Sequence, residues 1–145
     1  VIALDADQLN AFLAAAFPQG RLPMTVVRAD DDGVELTQPY DETQLRPGGT
    51  ISGPTLMTLA DTAAYCAVVS RIGPEYLTVT SHLAMDFLRK PPPADLRAEA
   101  EVLKLGRRQA NVVVRIRSDE DGALVAHSTV TYALPSTPSP GVAPR

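Results

Sequence analysis

Residues 48–74 read GGTISGPTLMTLADTAAYCAVVSRIGP, and this stretch predicts the element around which the rest is built. Pro54 suits the first helical position, where its missing N–H removes nothing a helix needs, and Ser52 or Gly53 suits the cap. Gly73-Pro74 stops the run. The spacing therefore predicts a helix from Pro54 to about Ile72. Around its axis, most directions are apolar: Leu56, Met57, Leu59, Ala60, Ala63, Ala64, Cys66, Ala67 and Val68. A helix apolar nearly all round is buried nearly all round. Something must wrap it. The polar residues Thr55, Thr58, Asp61, Thr62 and Tyr65 gather on one arc of about 120°. Asp61 is the only charge between Pro54 and Ser70.

The wrapping lies mostly downstream, where the period changes from helical to two. Leu77, Val79, Ser81, Leu83, Met85 and Phe87 alternate with Thr78, Thr80, His82, Ala84, Asp86 and Leu88 until Pro91-Pro92-Pro93. Leu96, Ala98, Ala100 and Val102 repeat the pattern, then Val112, Val114 and Ile116, then Ala126, Ser128, Val130 and Tyr132. Gly106 and Asp121-Gly122 mark turns. Such alternation predicts an antiparallel sheet with one covered face, and the central helix is the cover. Upstream, Leu9, Phe12, Leu13 and Ala16 predict an amphipathic helix capped by Asp5 and ended by Pro18 and Gly20. Met24 to Arg28 and Val34 to Thr37 read as a hairpin across Asp30-Asp31-Asp32-Gly33. That acidic triplet lacks the later ligands of a metal loop and reads as a solvated turn. The class is α+β: an antiparallel sheet wrapped around a long central helix, with an N-terminal helix. Residues 1–134 form one domain. Residues 135–145 hold four of the thirteen prolines and are expected to be a disordered tail.

Composition narrows the function. With 145 residues, 45% hydrophobic and 21% charged, the chain is an ordinary globular domain. A net charge of −4 argues against a broad hold on nucleic acid or an anionic membrane. No apolar stretch reaches membrane-span length, and no basic start precedes an apolar core. The single cysteine, Cys66, has no internal partner and suits a reducing compartment, so a cytoplasmic protein is expected. No His, Cys or carboxylate pair shows zinc-type spacing, and neither a metal nor a separate cofactor is expected.

A carboxylate in a mostly buried helix is costly unless paired or hydrogen-bonded. Asp61 is therefore either a packing residue, tied to Thr58, Thr62 or Tyr65, or a working acid/base or nucleophile. The loop running straight into the helix start favours the second. Free N–H groups at a helix N-terminus favour negative charge and can hold the oxyanion of acyl transfer. Gly53 is the best donor, because no side chain hinders approach and Pro54 has no N–H. Gly53 and Asp61 are eight positions apart, about 12 Å along a helix. If both act on one carbonyl, they come from different copies. The catalytic reading thus predicts a two-fold homodimer with two equivalent sites.

This constellation resembles the hotdog-fold thioesterase superfamily, in particular its PaaI-type branch, named for phenylacetate degradation. The resemblance rests on Gly49-Thr50-Ile51-Ser52-Gly53-Pro54, then Leu59-Ala60-Asp61-Thr62-Ala63, then Asp86-Phe87-Leu88-Arg89 ahead of Pro91, and spans roughly Val34 to Leu134. It implies hydrolysis of an acyl-CoA thioester, with Asp61 as the catalytic carboxylate and Gly53 as the amide that polarises the carbonyl. It also implies a dimer or a dimer of dimers, and a hydroxyl at Thr80 near the reacting centre. Ser52 stands where many relatives have His, Pro54 replaces a second glycine, and Arg46 or Pro47 occupies the region where some relatives place an Asn. Ser52, Thr62, Tyr65, Thr80 and Arg46 are thus the expected substrate-binding residues.

Arg89, Lys90, Arg107 and Arg108 lie at strand ends or turns, where guanidinium and ammonium groups suit the phosphates of CoA. His82 and His127 read as surface residues, and Cys66 as a small buried apolar one. Ser52 lacks the surroundings of a nucleophile elbow. The alternative function is a non-catalytic acyl-CoA or small-ligand binding protein. A hotdog dehydratase ranks third, because no His falls between Gly48 and Ile72.

Overall fold

The computed structural model describes residues 1–18, 22–140 and 142. Gly20, expected to help end the first helix, lies outside them, as do Gly141, Ala143, Pro144 and Arg145 of the tail. Helix α1 spans Ala6–Ala16, and Asp5 caps it in a reciprocal box with Gln8. Strands β1 (Thr25–Asp30) and β2 (Gly33–Gln38) form the expected hairpin. At its turn Gly33 has φ +140°, and a Cβ there would run into the Ala100 carbonyl. Helix α2 spans Gly53–Ile72, capped by Ser52 and ended at Gly73 with φ +101°. Strands β3 (Val79–Phe87), β4 (Leu96–Leu105), β5 (Gln109–Ser118) and β6 (Leu124–Ala133) follow.

All six strands join one antiparallel sheet in the order β1-β2-β4-β5-β6-β3. The sheet curls around α2, which is the hotdog arrangement. The inner face is rich in small residues, Ala98, Ala100, Ala110 and Ala126, all buried. They oppose the small residues of α2, Ala60, Ala63, Ala64 and Ala67, so helix and sheet backbones can approach closely. Leu9, Phe12 and Leu13 of α1 close one side of this core.

Two expectations are corrected. First, α2 is not buried all round. From Ala63 to Ser70 every residue is enclosed, but the first turns leave Pro54, Met57 and Thr58 exposed and Asp61 half-buried. At Asp61 this stripe faces the start of β3, and at Thr55 and Thr58 it faces Met24 and Gln38. Second, β3 does not alternate without a break. Thr80 pairs with Tyr132 and His82 with Thr131, which leaves Ser81 as the extra residue of a bulge. Past the bulge the faces exchange. Thr80 and Leu83 therefore both point inward, while His82 points out. Among the described residues, no helix is long and apolar enough to cross a membrane.

Candidate active site

Asp61 sits where the open stripe of α2 meets the start of β3. The bulge at Ser81 is what turns Thr80 toward it, and Thr80 Oγ1 donates to Asp61 Oδ1 at 2.6 Å. From β6, Tyr132 reaches the same oxygen: its hydroxyl lies 2.6 Å from Asp61 Oδ1 and 2.8 Å from the Asp61 backbone carbonyl. Burial, and then the Asp61 carboxylate beside it, push the Tyr132 phenol well above its ordinary range, so it stays protonated and donates. Thr58, Thr62 and Tyr65, the partners a pure packing role would use, bond elsewhere. Thr58 and Thr62 donate to the carbonyls of Pro54 and Thr58, and Tyr65 donates to the carbonyl of Glu75. The carboxylate is therefore held from across the fold.

The site opens into a cleft of about 400 Å³ that also takes in Phe17, Leu22, Tyr76, Thr78 and Val79. Its wall is aromatic. Tyr132 stacks on Tyr65 at 5.8 Å, and Phe12 of α1 packs against Tyr65 at 5.9 Å and Tyr76 at 5.0 Å. Burial pushes the Tyr65 hydroxyl up to about 12. A space apolar on its walls with one carboxylate at its mouth suits an acyl group whose reactive carbonyl stays near the acid.

Gly53 opens the other end of the stripe. It is the first residue of α2, so its N–H has no carbonyl four residues back within the helix. The Phe87 ring of β3 lies against it. Ser52 is committed as the helix cap: its Oγ accepts from the Thr55 N–H at 3.3 Å and contacts Thr55 Oγ1 at 2.9 Å. Arg46 is exposed and folds back on its own turn, donating to the Pro47 carbonyl at 2.7 Å. The turn needs its glycines, since Gly48 and Gly49 have φ of +102° and +83°.

The two basic pairs lie at opposite ends of the sheet. Arg89 and Lys90 follow Phe87, at the Gly53 end of β3. Arg107 and Arg108 precede Gln109, which is in register with Ala133 and so with Val79, at the Asp61 end. All four are exposed. Within one chain they do not converge on one point. His82 is exposed, and His127 lies cross-strand from Asp86 and Arg115 on the outer face, away from the cleft. Cys66 is fully enclosed, and burial pushes its thiol up to about 12, which leaves it inert at neutral pH.

Tyr132 is the site residue that sequence reasoning passed over. It stood in the inward set of β6 with Ala126, Ser128 and Val130, and a buried tyrosine hydroxyl must find a partner. That rule was the available signal.

The family model described as thioesterase superfamily matches residues 48–126, from the loop before α2 into β6. No curated protein matches the chain. Several solved structures do. A Silicibacter protein assigned as a thioesterase is 36% identical, over 93% of this chain and 94% of its own, with a TM-score of 0.84. A variant of the phenylacetic acid degradation protein PaaI from Thermus thermophilus is 30% identical, over 77% of this chain and 93% of its own, with a TM-score of 0.68. Zebrafish thioesterase superfamily member 2 covers 92% of this chain and 100% of its own at a TM-score of 0.80; with 21% identity it shares the fold alone.

Proposed function

The chain belongs to the thioesterase superfamily, in its hotdog, PaaI-like branch, and from that membership we propose that it hydrolyses an acyl-CoA thioester to the free acid and CoA at two equivalent sites shared between two copies. The observation that carries this reading is the Asp61 carboxylate, held by Thr80 and Tyr132 at the mouth of an aromatic-walled cleft. A charge held by two neutral hydroxyls, rather than spent on a cation, is ready for chemistry.

Hydrolysis follows simply. Asp61 takes a proton from water as the water oxygen adds to the thioester carbonyl carbon. The Gly53 N–H donates to the carbonyl oxygen as it becomes an oxyanion. The intermediate collapses, the C–S bond breaks, and the proton passes from Asp61 to the leaving thiolate. In the variant route the carboxylate itself adds, expels CoA thiolate, and leaves an acyl anhydride that water then opens. A single turnover in water of heavy oxygen marks the second route where water opens the anhydride at the Asp61 carbonyl, since the label then stays in the protein.

The shared site is supported by β3. It is an edge strand, so among the described residues no strand lies beside its outer N–H and C=O groups. Leu77, Val79, Phe87 and Leu88, at its two ends, are more than half exposed. A long apolar edge invites another strand. Within one chain, Asp61 is anchored to the start of β3 through Thr80, and Gly53 abuts its end through Phe87. If two β3 strands pair antiparallel about a two-fold axis, each start meets the partner's end, and each Asp61 approaches the partner's Gly53. The same rotation brings Arg89 and Lys90 of one copy toward Arg107 and Arg108 of the other, a gathering of positive charge suited to CoA phosphates. No cofactor is called for beyond the CoA carried by the substrate, and the lone enclosed thiol of Cys66 fits a cytoplasmic setting.

Asp61→Ala beside wild type, across a panel of acyl-CoA thioesters, tests the reading. Turnover is expected to drop by on the order of 1,000-fold or more, with fold and oligomer size retained. Equal rates would sink it. Binding of CoA thioesters by the wild type without any turnover would make the chain a ligand-binding module instead.

A further inference from the structure

Asp61 has two carboxylate oxygens, and the fold treats them differently. Both side-chain donors, Thr80 Oγ1 and Tyr132 OH, converge on Oδ1 at 2.6 Å. Among the described residues, none donates to Oδ2. The Tyr132 hydroxyl also lies 2.8 Å from the Asp61 carbonyl, so it spans side chain and backbone of one residue and fixes the rotation between them. Tyr132 is itself immobilised. It is 3% exposed, its ring stacks on Tyr65 with planes 26° apart, and the Tyr65 hydroxyl is tied to the Glu75 carbonyl at 2.9 Å.

We infer that Tyr132 is a positioning residue that, together with Thr80, ties down Oδ1 of Asp61 and leaves Oδ2 as the oxygen that takes the proton or attacks the carbonyl. The inference rests on the proposed thioester hydrolysis, and it adds which oxygen works and what aims it. A carboxylate with one oxygen doubly held keeps its free oxygen pointed in one direction, so approach to the carbonyl needs no search over rotamers. The Tyr132 ring lines the cleft, but its hydroxyl meets no reacting atom in this scheme. It acts through Asp61.

Tyr132→Phe keeps the ring and its stacking and removes only the hydroxyl. The expected result is a fall in kcat of on the order of 10- to 100-fold, the usual worth of a hydrogen bond to a charged group, with KM and the affinity for a non-hydrolysable CoA thioether unchanged. A Tyr132→Phe enzyme that turns over at the wild-type rate overturns the inference. So does one whose KM and thioether affinity collapse along with kcat, because that pattern is a packing defect. A second measurement is independent of turnover. In wild type, the buried Tyr132 hydroxyl proton should exchange slowly and resonate downfield in proton NMR, and Asp61→Ala should shift it upfield or speed its exchange. A hydroxyl resonance indifferent to Asp61→Ala refutes the tie. If the wild type hydrolyses no thioester, the proposed reaction falls while this resonance still decides whether Tyr132 holds Asp61.

Discussion

Gly53 stands in a place that does not require glycine. Its φ is not positive, and an added Cβ would meet only the Phe87 ring, at 3.4 and 3.5 Å. Backbone strain and packing therefore leave its identity unexplained, whereas the proposed role of its N–H as oxyanion donor would account for it. Gly53→Ala is expected to fold with a thermal midpoint within a few degrees of wild type, while kcat falls by on the order of 10- to 100-fold as the methyl crowds the oxyanion donor. Full activity in that variant, measured beside calorimetry, would remove Gly53 from the machinery. The residue-scale signals differ in how openly they stand in the sequence. Asp61 was legible because it is the one charge between Pro54 and Ser70 of an apolar helix, and charge there is costly. Tyr132 was not singled out, because its meaning depends on which carboxylate lies above it, and those two residues are 71 positions apart.

Among the elements, α2 and β3 carry the site, and each shows a different limit of periodic patterns. The ends of α2 were written in its caps, Ser52 and Gly73. Its polar arc already marked the open flank through Thr58, Asp61 and Thr62, but how far the opening runs was not written, since Tyr65 on that arc is enclosed and Met57 beside it is exposed. In β3 the period-two pattern led astray at Ser81. A bulge adds one residue without any compositional mark, and this one re-aims Thr80 onto Asp61. The enclosed half of α2 has a consequence for alkaline stability. Burial raises the Cys66 thiol from 9.0 to about 12 and the Tyr65 hydroxyl from 10.0 to about 12. Both groups are neutral when protonated, and the folded state favours that form. Their contribution to stability is complete below pH of about 9 and is lost as pH rises from there toward about 12. The thermal midpoint should therefore decline steadily over that window, and Cys66→Ala should decline less steeply than wild type. Parallel slopes would contradict the assignment to Cys66.

For the molecule as a whole, the outer face of the sheet and its β3 edge invite opposite partners. Outside, Arg97 pairs with Glu35 and Asp119, and Arg117 with Glu99, so these charges are answered within one chain. The β3 edge is apolar at both ends and, among the described residues, has no strand along its outer side, which is why the two-copy site is proposed there. Mixing makes that testable. Asp61→Ala retains Gly53, and Gly53→Val retains Asp61, so a mixed dimer holds one whole site and one site lacking both. Each variant alone should be nearly inactive, and an exchanged equimolar mixture should recover up to about a quarter of wild-type activity. No recovery, with exchange verified by mass, would mean that each chain works alone. By itself, the order of residues determined the helix, its caps, the strands around it and the acid at its centre. Those features rest on local dihedral preference and on burying one face, and both are encoded within a few neighbours. Only the tertiary structure decided which oxygen of Asp61 is held, how far the open flank of α2 extends and how the basic pairs are arranged. Those depend on a bulge and on strand order, which bring together residues far apart in sequence and leave no periodic trace in it.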